Sequence, residues 1–397
     1  MRLRVVAVFV LLVAGAAIFS YTRPIPAVGL VAALPETVVL PGSAPQLPWP
    51  GQGSGAVAVS GLGFIASSGN EQAIPAASVT KVMTALVVIE DNALPAGSEG
   101  PTLTMSEVDV QSYLTDVADK ESVVPVVIGE QLTEMQLLEG LLIPSANNYS
   151  QTLARWDAGS VSAFVGKMNA RAAALHMAHT IFADTSGASP QTVSTPSDLL
   201  ILGIEAMKLP LFATIVAMEQ AVLPVAGTVY NVDHVLGQSG IIGIKTGSGL
   251  SSGANFLFAA ALTVDGHPVT LYGCVMGLPT LDAAFASARS LIAVMEPALH
   301  VQRVIARNET VASITAPWGA QTDVLSSVDV DVVEWPGMIL RQSLDAGPIV
   351  VDQPISPGTR EGTEHLVMGD YSLDVPLVTA YPLYPPGRLW RLTRISF

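Results

Sequence analysis

Three short strings in this chain carry side chains able to do acyl chemistry together: Ser78-Val79-Thr80-Lys81, Ser145-Ala146-Asn147 and Lys245-Thr246-Gly247. A serine hydroxyl is a weak nucleophile until a neighbouring base takes its proton. On a helix, residues at i and i+3 share a face, so Ser78 and Lys81 can come within hydrogen-bond reach. A lysine acts as a base only when burial or a nearby positive charge lowers its pKa. Lys245 is the candidate for that charge. Ser145 could relay the proton toward a leaving amine, and the Asn147 amide could hold a substrate backbone. Ser78 at a helix start gains from the helix dipole. Its own N–H can form half of an oxyanion hole, with the Ser248 N–H as the other half. Ser78, Lys81 and Ser145 are therefore read as catalytic, and Asn147, Lys245, Thr246, Gly247 and Ser248 as substrate-binding.

Each string alone is a weak signal. The lysines number five, at 81, 120, 167, 208 and 245. At that scarcity a chance S-x-x-K occurs roughly once in three such chains and a chance K-T-G about once in thirty. The ordered set, spaced by 67 and 100 residues, is much harder to obtain by accident. Gly249-Leu250-Ser251-Ser252-Gly253 matches a G-x-S-x-G nucleophile elbow, but an elbow needs a helix after it, and residues 256–261 read as a strand. The six histidines show no H-E-x-x-H pattern, so no metal site is expected, and His176 and His179 read as helix-end residues. No cofactor is implied. Cys274 lies in an apolar run and reads as an inert buried thiol; a single cysteine cannot form an intramolecular disulfide.

The elements that must position these groups follow from periodicity. Residues 56–59 and 64–66 read as a hairpin around Ser60-Gly61-Leu62-Gly63. Val79, Val82, Met83, Leu86 and Val87 recur at helical spacing, giving a helix over 79–90. Further helices are expected over 132–142, 146–157, 160–176, 197–207 and 280–295, and strands over 241–244, 256–264 and 269–275. An early hairpin, helices, and late antiparallel strands make an α+β or three-layer domain. Beyond residue 298 short β runs alternate with Pro, Gly and Asp turns, which reads as a small C-terminal β-domain over 298–397.

The strings and their surroundings resemble the D-alanyl-D-alanine carboxypeptidases, the low-molecular-mass penicillin-binding proteins. The resemblance rests on the three motifs, on Pro75 to Ala85, and on Leu141 to Asn147. It rests also on Phe164-Val165-Gly166-Lys167-Met168-Asn169 and Gly243 to Gly247, and it runs over 56–297. It implies an α+β penicillin-binding/β-lactamase-type serine transpeptidase fold, an antiparallel sheet lobe beside an all-helical lobe. It further implies peptidoglycan stem peptides ending in D-Ala-D-Ala as substrate and β-lactams as inhibitors. The expected function is a serine-type D-Ala-D-Ala carboxypeptidase. Two rivals share the motif. A class A-like β-lactamase needs a glutamate base, yet between Asn147 and Glu205 only Asp157, Asp184 and Asp198 offer carboxylates. A degenerate wall-binding module would have lost turnover. The family's usual Asp after the S-x-N string is Asn148 here. Its usual carboxylate-binding arginine, sought in the turn Val264-Asp265-Gly266-His267-Pro268, is missing, which leaves Lys245, Thr246 and Ser248, or His267, for that task.

Composition sets the outer bounds. A formal charge of −15 argues against nucleic acid as partner. Arg2 and Arg4 precede an apolar run from Val5 to Phe19 with small residues at 14–17, so residues 1–23 read as a signal peptide or N-terminal membrane anchor. Either reading puts the rest of the chain outside the cytoplasm, at the cell envelope, with membrane contact through this segment if it is uncleaved. Residues 24–55, with seven prolines between 24 and 50, read as an extended linker.

Overall fold

The computed structural model describes residues 2–95 and 97–394; Met1, Ala96 and residues 395–397 lie outside the described residues. The chain forms two compact units, one of residues 44–299 and one of residues 1–43 with 300–397.

The first of these units is built on a five-stranded antiparallel sheet. Its order is Ile241–Gly249, Gly253–Val264, His267–Leu278, Ser54–Val59, Gly63–Ser67. The middle strands are apolar along nearly their whole length, which requires cover on both faces. Neighbouring residues on a strand point to opposite faces, and Phe256 and Leu257 show where each points. Phe256 meets Phe285 of helix Leu281–Met295 edge-on, with ring centroids 5.0 Å apart. Leu257 instead reaches Gly203 of helix Pro196–Met207, where an added Cβ would stand 3.0 Å from it. The unit is thus helix, sheet, helix in three layers, continued by a helical lobe.

In that lobe helix Lys81–Asp91 is the centre: residues 81 to 89 are all buried. It packs against helices Glu134–Leu142, Asn147–Ala158, Val161–Ala174 and Pro196–Met207. Capping fixes where several of these start. Thr133 caps Glu134–Leu142 with a box closed by Gln136, and Ser160 and Thr195 accept from the N–H groups of Ala163 and Asp198. The expected helix over 79–90 is in fact a 3-10 turn, Ala77–Thr80, running into the α-helix at Lys81. Ala77 sits at φ 48°, a left-handed conformation that costs a non-glycine residue about 1 kcal/mol and keeps the α-helix from extending back through it.

The other unit carries a seven-stranded antiparallel sheet in the order Leu30–Ala32, Thr310–Thr315, Gln321–Ser326, Tyr371–Thr379, Arg360–Met368, Ile339–Asp345, Thr37–Val39. Both outermost strands come from the proline-rich stretch expected as a linker. Proline is tolerated there because Pro24, Pro26, Pro35 and Pro41 all fall between or outside the two strands, and an edge strand needs only one row of ladder bonds. Helix Arg2–Thr22 and the short helix Arg388–Thr393 pack against each other in this unit.

Candidate active site

Ser78 lies in the 3-10 turn, and its Oγ is 2.7 Å from Lys81 Nζ, which also donates to the Ser186 carbonyl at 3.1 Å. Lys81 is wholly buried. Burial is the largest cause, and the Lys245 charge the next, that hold its pKa well below the ordinary lysine value; Asp184, Glu121 and Asp116 oppose them. A neutral amine beside a serine hydroxyl is the arrangement a proton acceptor needs.

Ser145 is held at φ 70° by the turn between helices Glu134–Leu142 and Asn147–Ala158, and its Oγ is buried with no hydrogen-bond partner. Asn147 starts the second of these helices. Its Nδ2 donates to Glu121 Oε2 at 3.1 Å, which leaves Oδ1 buried and unpartnered. Unpaired buried polar atoms are costly, and two of them in one motif, at Ser145 and Asn147, mark groups awaiting a partner. Asn148 is different. It bonds the Val124 N–H and carbonyl at 3.1 and 2.9 Å, so it braces the 119–130 segment.

Lys245, Thr246 and Gly247 lie on strand Ile241–Gly249, at the sheet's outer edge. Burial pushes the Lys245 ammonium down to about 7, against a raising influence from Asp233. Asp233 is itself pushed up to about 6 by burial. Gly247 is pressed against the nucleophile turn: a Cβ there would stand 3.0 Å from Ser78 N and 3.1 Å from Ala76 O. Ser248 follows it and is exposed.

Several positioning groups escaped the sequence reading. Asp184 Oδ2 accepts from the N–H groups of Ser186, Gly187 and Ala188, and Oδ1 from the Thr192 hydroxyl. This ties a tight loop under the site. Gly187 in that loop, at φ 84°, leaves no room for a Cβ, which would fall 1.8 Å from Ala77 O. Asn255, fully buried, donates to the Pro75 and Ala76 carbonyls at 3.0 and 3.1 Å and accepts from Gly277 N–H at 3.0 Å. It fastens the sheet to the entrance of the nucleophile turn. A Gly-containing polar run such as Asp184-Thr185-Ser186-Gly187 signals a turn, but nothing local says which turn it supports.

Two readings are settled by register. His267 pairs with Val264, seven residues beyond Leu257, the partner of Lys245; that is roughly 23 Å of strand. The turn searched for an arginine is therefore at the far end of the hairpin, and His267 cannot reach a substrate held at Lys245. The end of that hairpin near Ser248 is Leu278-Pro279-Thr280, which has no basic residue either. The G-x-S-x-G match is a hairpin turn, with Gly249 paired to Gly253 and Leu250 fully exposed. Cys274 is buried and its thiol pushed up by burial. Among the described residues there is no group of His, Cys, Asp and Glu able to hold a metal. The three aspartates between Asn147 and Glu205 are all engaged: Asp157 with Lys167, Asp184 in its loop, and Asp198 with Thr180 and the His179 N–H.

A profile of the D-alanyl-D-alanine carboxypeptidase family matches residues 62–279. The chain belongs to that family of serine peptidases. It is 31% identical over 234 residues to a D-alanyl-D-alanine carboxypeptidase of Streptomyces sp. strain K15, covering 54% of this chain and 76% of that protein. It is 34% identical over 198 residues to the D-alanyl-D-alanine carboxypeptidase DacB2 of Mycobacterium tuberculosis, covering 47% and 62%. The crystal structure of the Streptomyces K15 DD-transpeptidase superposes with a TM-score of 0.56 at 27% identity, over 64% of this chain and 98% of that one. Penicillin binding protein 5 from Haemophilus influenzae, 18% identical, shares the fold over 87% of this chain and all of its own, with a TM-score of 0.61.

Proposed function

We propose that the chain is an extracytoplasmic serine D-Ala-D-Ala carboxypeptidase acting on peptidoglycan stem peptides. The catalytic module would span 56–297. The observation that carries this reading is the 2.7 Å contact between Ser78 Oγ and a fully buried Lys81 whose pKa is depressed. Neutral Lys81 takes the Ser78 proton as Oγ attacks the carbonyl of the penultimate D-Ala. The oxyanion is received by the N–H groups of Ser78 and Ser248. Ser145 passes the proton to the departing D-Ala nitrogen, the C–N bond breaks, and an ester remains on Ser78. Water then hydrolyses the ester. Asn147 holds the substrate backbone, and Lys245 and Thr246 its terminal carboxylate, with Gly247 letting the strand approach. A β-lactam offers the same carbonyl to Ser78 and leaves a slowly hydrolysed ester, because the intervening aspartates are engaged elsewhere. The names of the relatives support the reaction class.

The test is labelling with fluorescent penicillin followed by mass spectrometry of the labelled peptide. Label on Ser78, absent from Ser78→Ala, is expected. Label on Ser251, or none on the wild type, overturns the reading.

A further inference from the structure

The apolar helix Arg2–Thr22 does not end in free chain. Its exit is gripped by the C-terminal helix. The Arg394 guanidinium donates to the Ser20 carbonyl at 2.9 and 3.0 Å, to the Pro24 carbonyl at 2.9 Å, and to the Arg23 carbonyl. The Ser20 hydroxyl donates back to the Arg391 and Arg394 carbonyls at 2.9 and 3.3 Å. Arg391 lies over the Tyr21 ring at 4.6 Å, and Trp390 meets Trp318 edge-on at 5.5 Å. Leu389, Leu392, Tyr381 and Tyr384 are exposed beside them.

Two features of this collar point outward to a specific surface. First, it is basic in an acidic protein. No Asp or Glu occurs in residues 1–35 or 375–397, and Arg23, Arg388, Arg391 and Arg394 have no ion pair among the described residues. The charges of Arg23 and Arg391 crowd Arg394, and the Arg391 Nε is buried without an acceptor. Such a cluster calls for anions from outside. Second, it rings the end of a helix of membrane-spanning length. Residues Arg4–Thr22 have a mean hydropathy of 2.4 and are almost wholly exposed along their length. Arg4 and Arg23 lie 19 residues apart, about 28 Å of helix, which matches a hydrocarbon layer of about 30 Å. Tryptophan, tyrosine and arginine are the residues that settle where hydrocarbon meets headgroups.

We propose that helix Arg2–Thr22 is retained as a transmembrane anchor, and that the arginine–aromatic collar at its exit seats on anionic phospholipid headgroups of the outer leaflet. With Ser20 to Arg23 at that boundary, the small residues Ala14 to Ala17 lie helical and about 5 Å or more inside the apolar layer. A peptidase working at the outer surface does not reach them there. Arg2 and Arg4 face Arg23 alone while the helix inserts; Arg388, Arg391 and Arg394 arrive only after the intervening chain has been exported.

The experiment uses the full chain expressed with its own N-terminus. Intact mass spectrometry of the protein extracted from membranes should give a species retaining residues 2–23; a species beginning after Ala17 overturns the proposal. The protein is then placed in lipid nanodiscs with or without anionic phospholipid, carrying a quencher near the headgroups. Tryptophan emission should be quenched more in the anionic discs, and Trp318→Phe/Trp390→Phe should remove that difference. Arg388→Gln/Arg391→Gln leaves the Arg394 grip intact, should label with penicillin like the wild type, and should quench only as in neutral discs. Equal quenching in both lipids for the wild type overturns the lipid seat.

Discussion

Between pH 6 and pH 8, kcat/KM for a substrate ending in a free carboxylate should fall about tenfold, and Lys245 is the reason. Its side chain is buried and its pKa is pushed down to about 7. A lysine with that value is ~0.9 protonated at pH 6 and ~0.1 at pH 8, so the form able to pair with a carboxylate declines about tenfold. Lys81 does not produce this limb. Burial is the largest cause that lowers its pKa, and a base becomes more available as pH rises, so its contribution runs in the opposite direction. A bound carboxylate raises the Lys245 pKa, so the limb in kcat, which reports the complex, should lie at higher pH than the limb in kcat/KM. The assay is the release of D-Ala from a peptide acid and its amide between pH 5.5 and 9. The amide should show a flatter profile. Lys245→Arg, charged throughout, should keep acid preference at pH 8, whereas His267→Ala should change nothing. Asp233 raises the Lys245 pKa, so Asp233→Asn should shift the limb to lower pH. An acid profile that is flat, or a limb that survives Lys245→Arg, would refute the reasoning.

Lys81→Arg should abolish acylation although charge is kept, because arginine cannot accept the proton; stopped-flow penicillin labelling reads this, and a rate within tenfold of wild type contradicts the role. Gly187→Ala puts a Cβ 1.8 Å from Ala77 O, and labelling should slow by tenfold or more as the nucleophile turn shifts; unchanged labelling would mean that the loop does not seat Ser78. Asn255→Ala strands the Pro75 and Ala76 carbonyls and the Gly277 N–H, costing ~3 kcal/mol in urea unfolding; a loss below ~1 kcal/mol would show that the sheet and turn are fastened otherwise.

The sequence is most legible where partners are close in the chain or share a period. Ser78 and Lys81 are three apart, the helical period around residues 81–91 is strong, and 253–264 and 267–278 are near-continuous apolar runs. The supports of the site are illegible for the opposite reason. Lys81 and Ser186 are 105 residues apart, and Asn255 and Ala76 are 179 apart; no local pattern announces a hydrogen bond of that span. His267 misled because a turn between two strands can lie at either end of a hairpin, and only register says which. The proline-rich stretch hid two strands because three residues carry no detectable alternation.

The placement of those two short strands has a consequence for the order in which the protein matures. Leu30–Ala32 waits for Thr310–Thr315, and Thr37–Val39 for Ile339–Asp345. Some 280 residues must be synthesised before the first pairing can close, and closing so long a loop is slow. Residues 44–299 form a compact unit of their own, and every strand of its five-stranded sheet lies within that range, so its sequence is complete before those pairings can close. During that interval the two early strands are exposed, unpaired edges. At three residues each they are too short to template an association with another chain, so the half-built state is protected by brevity.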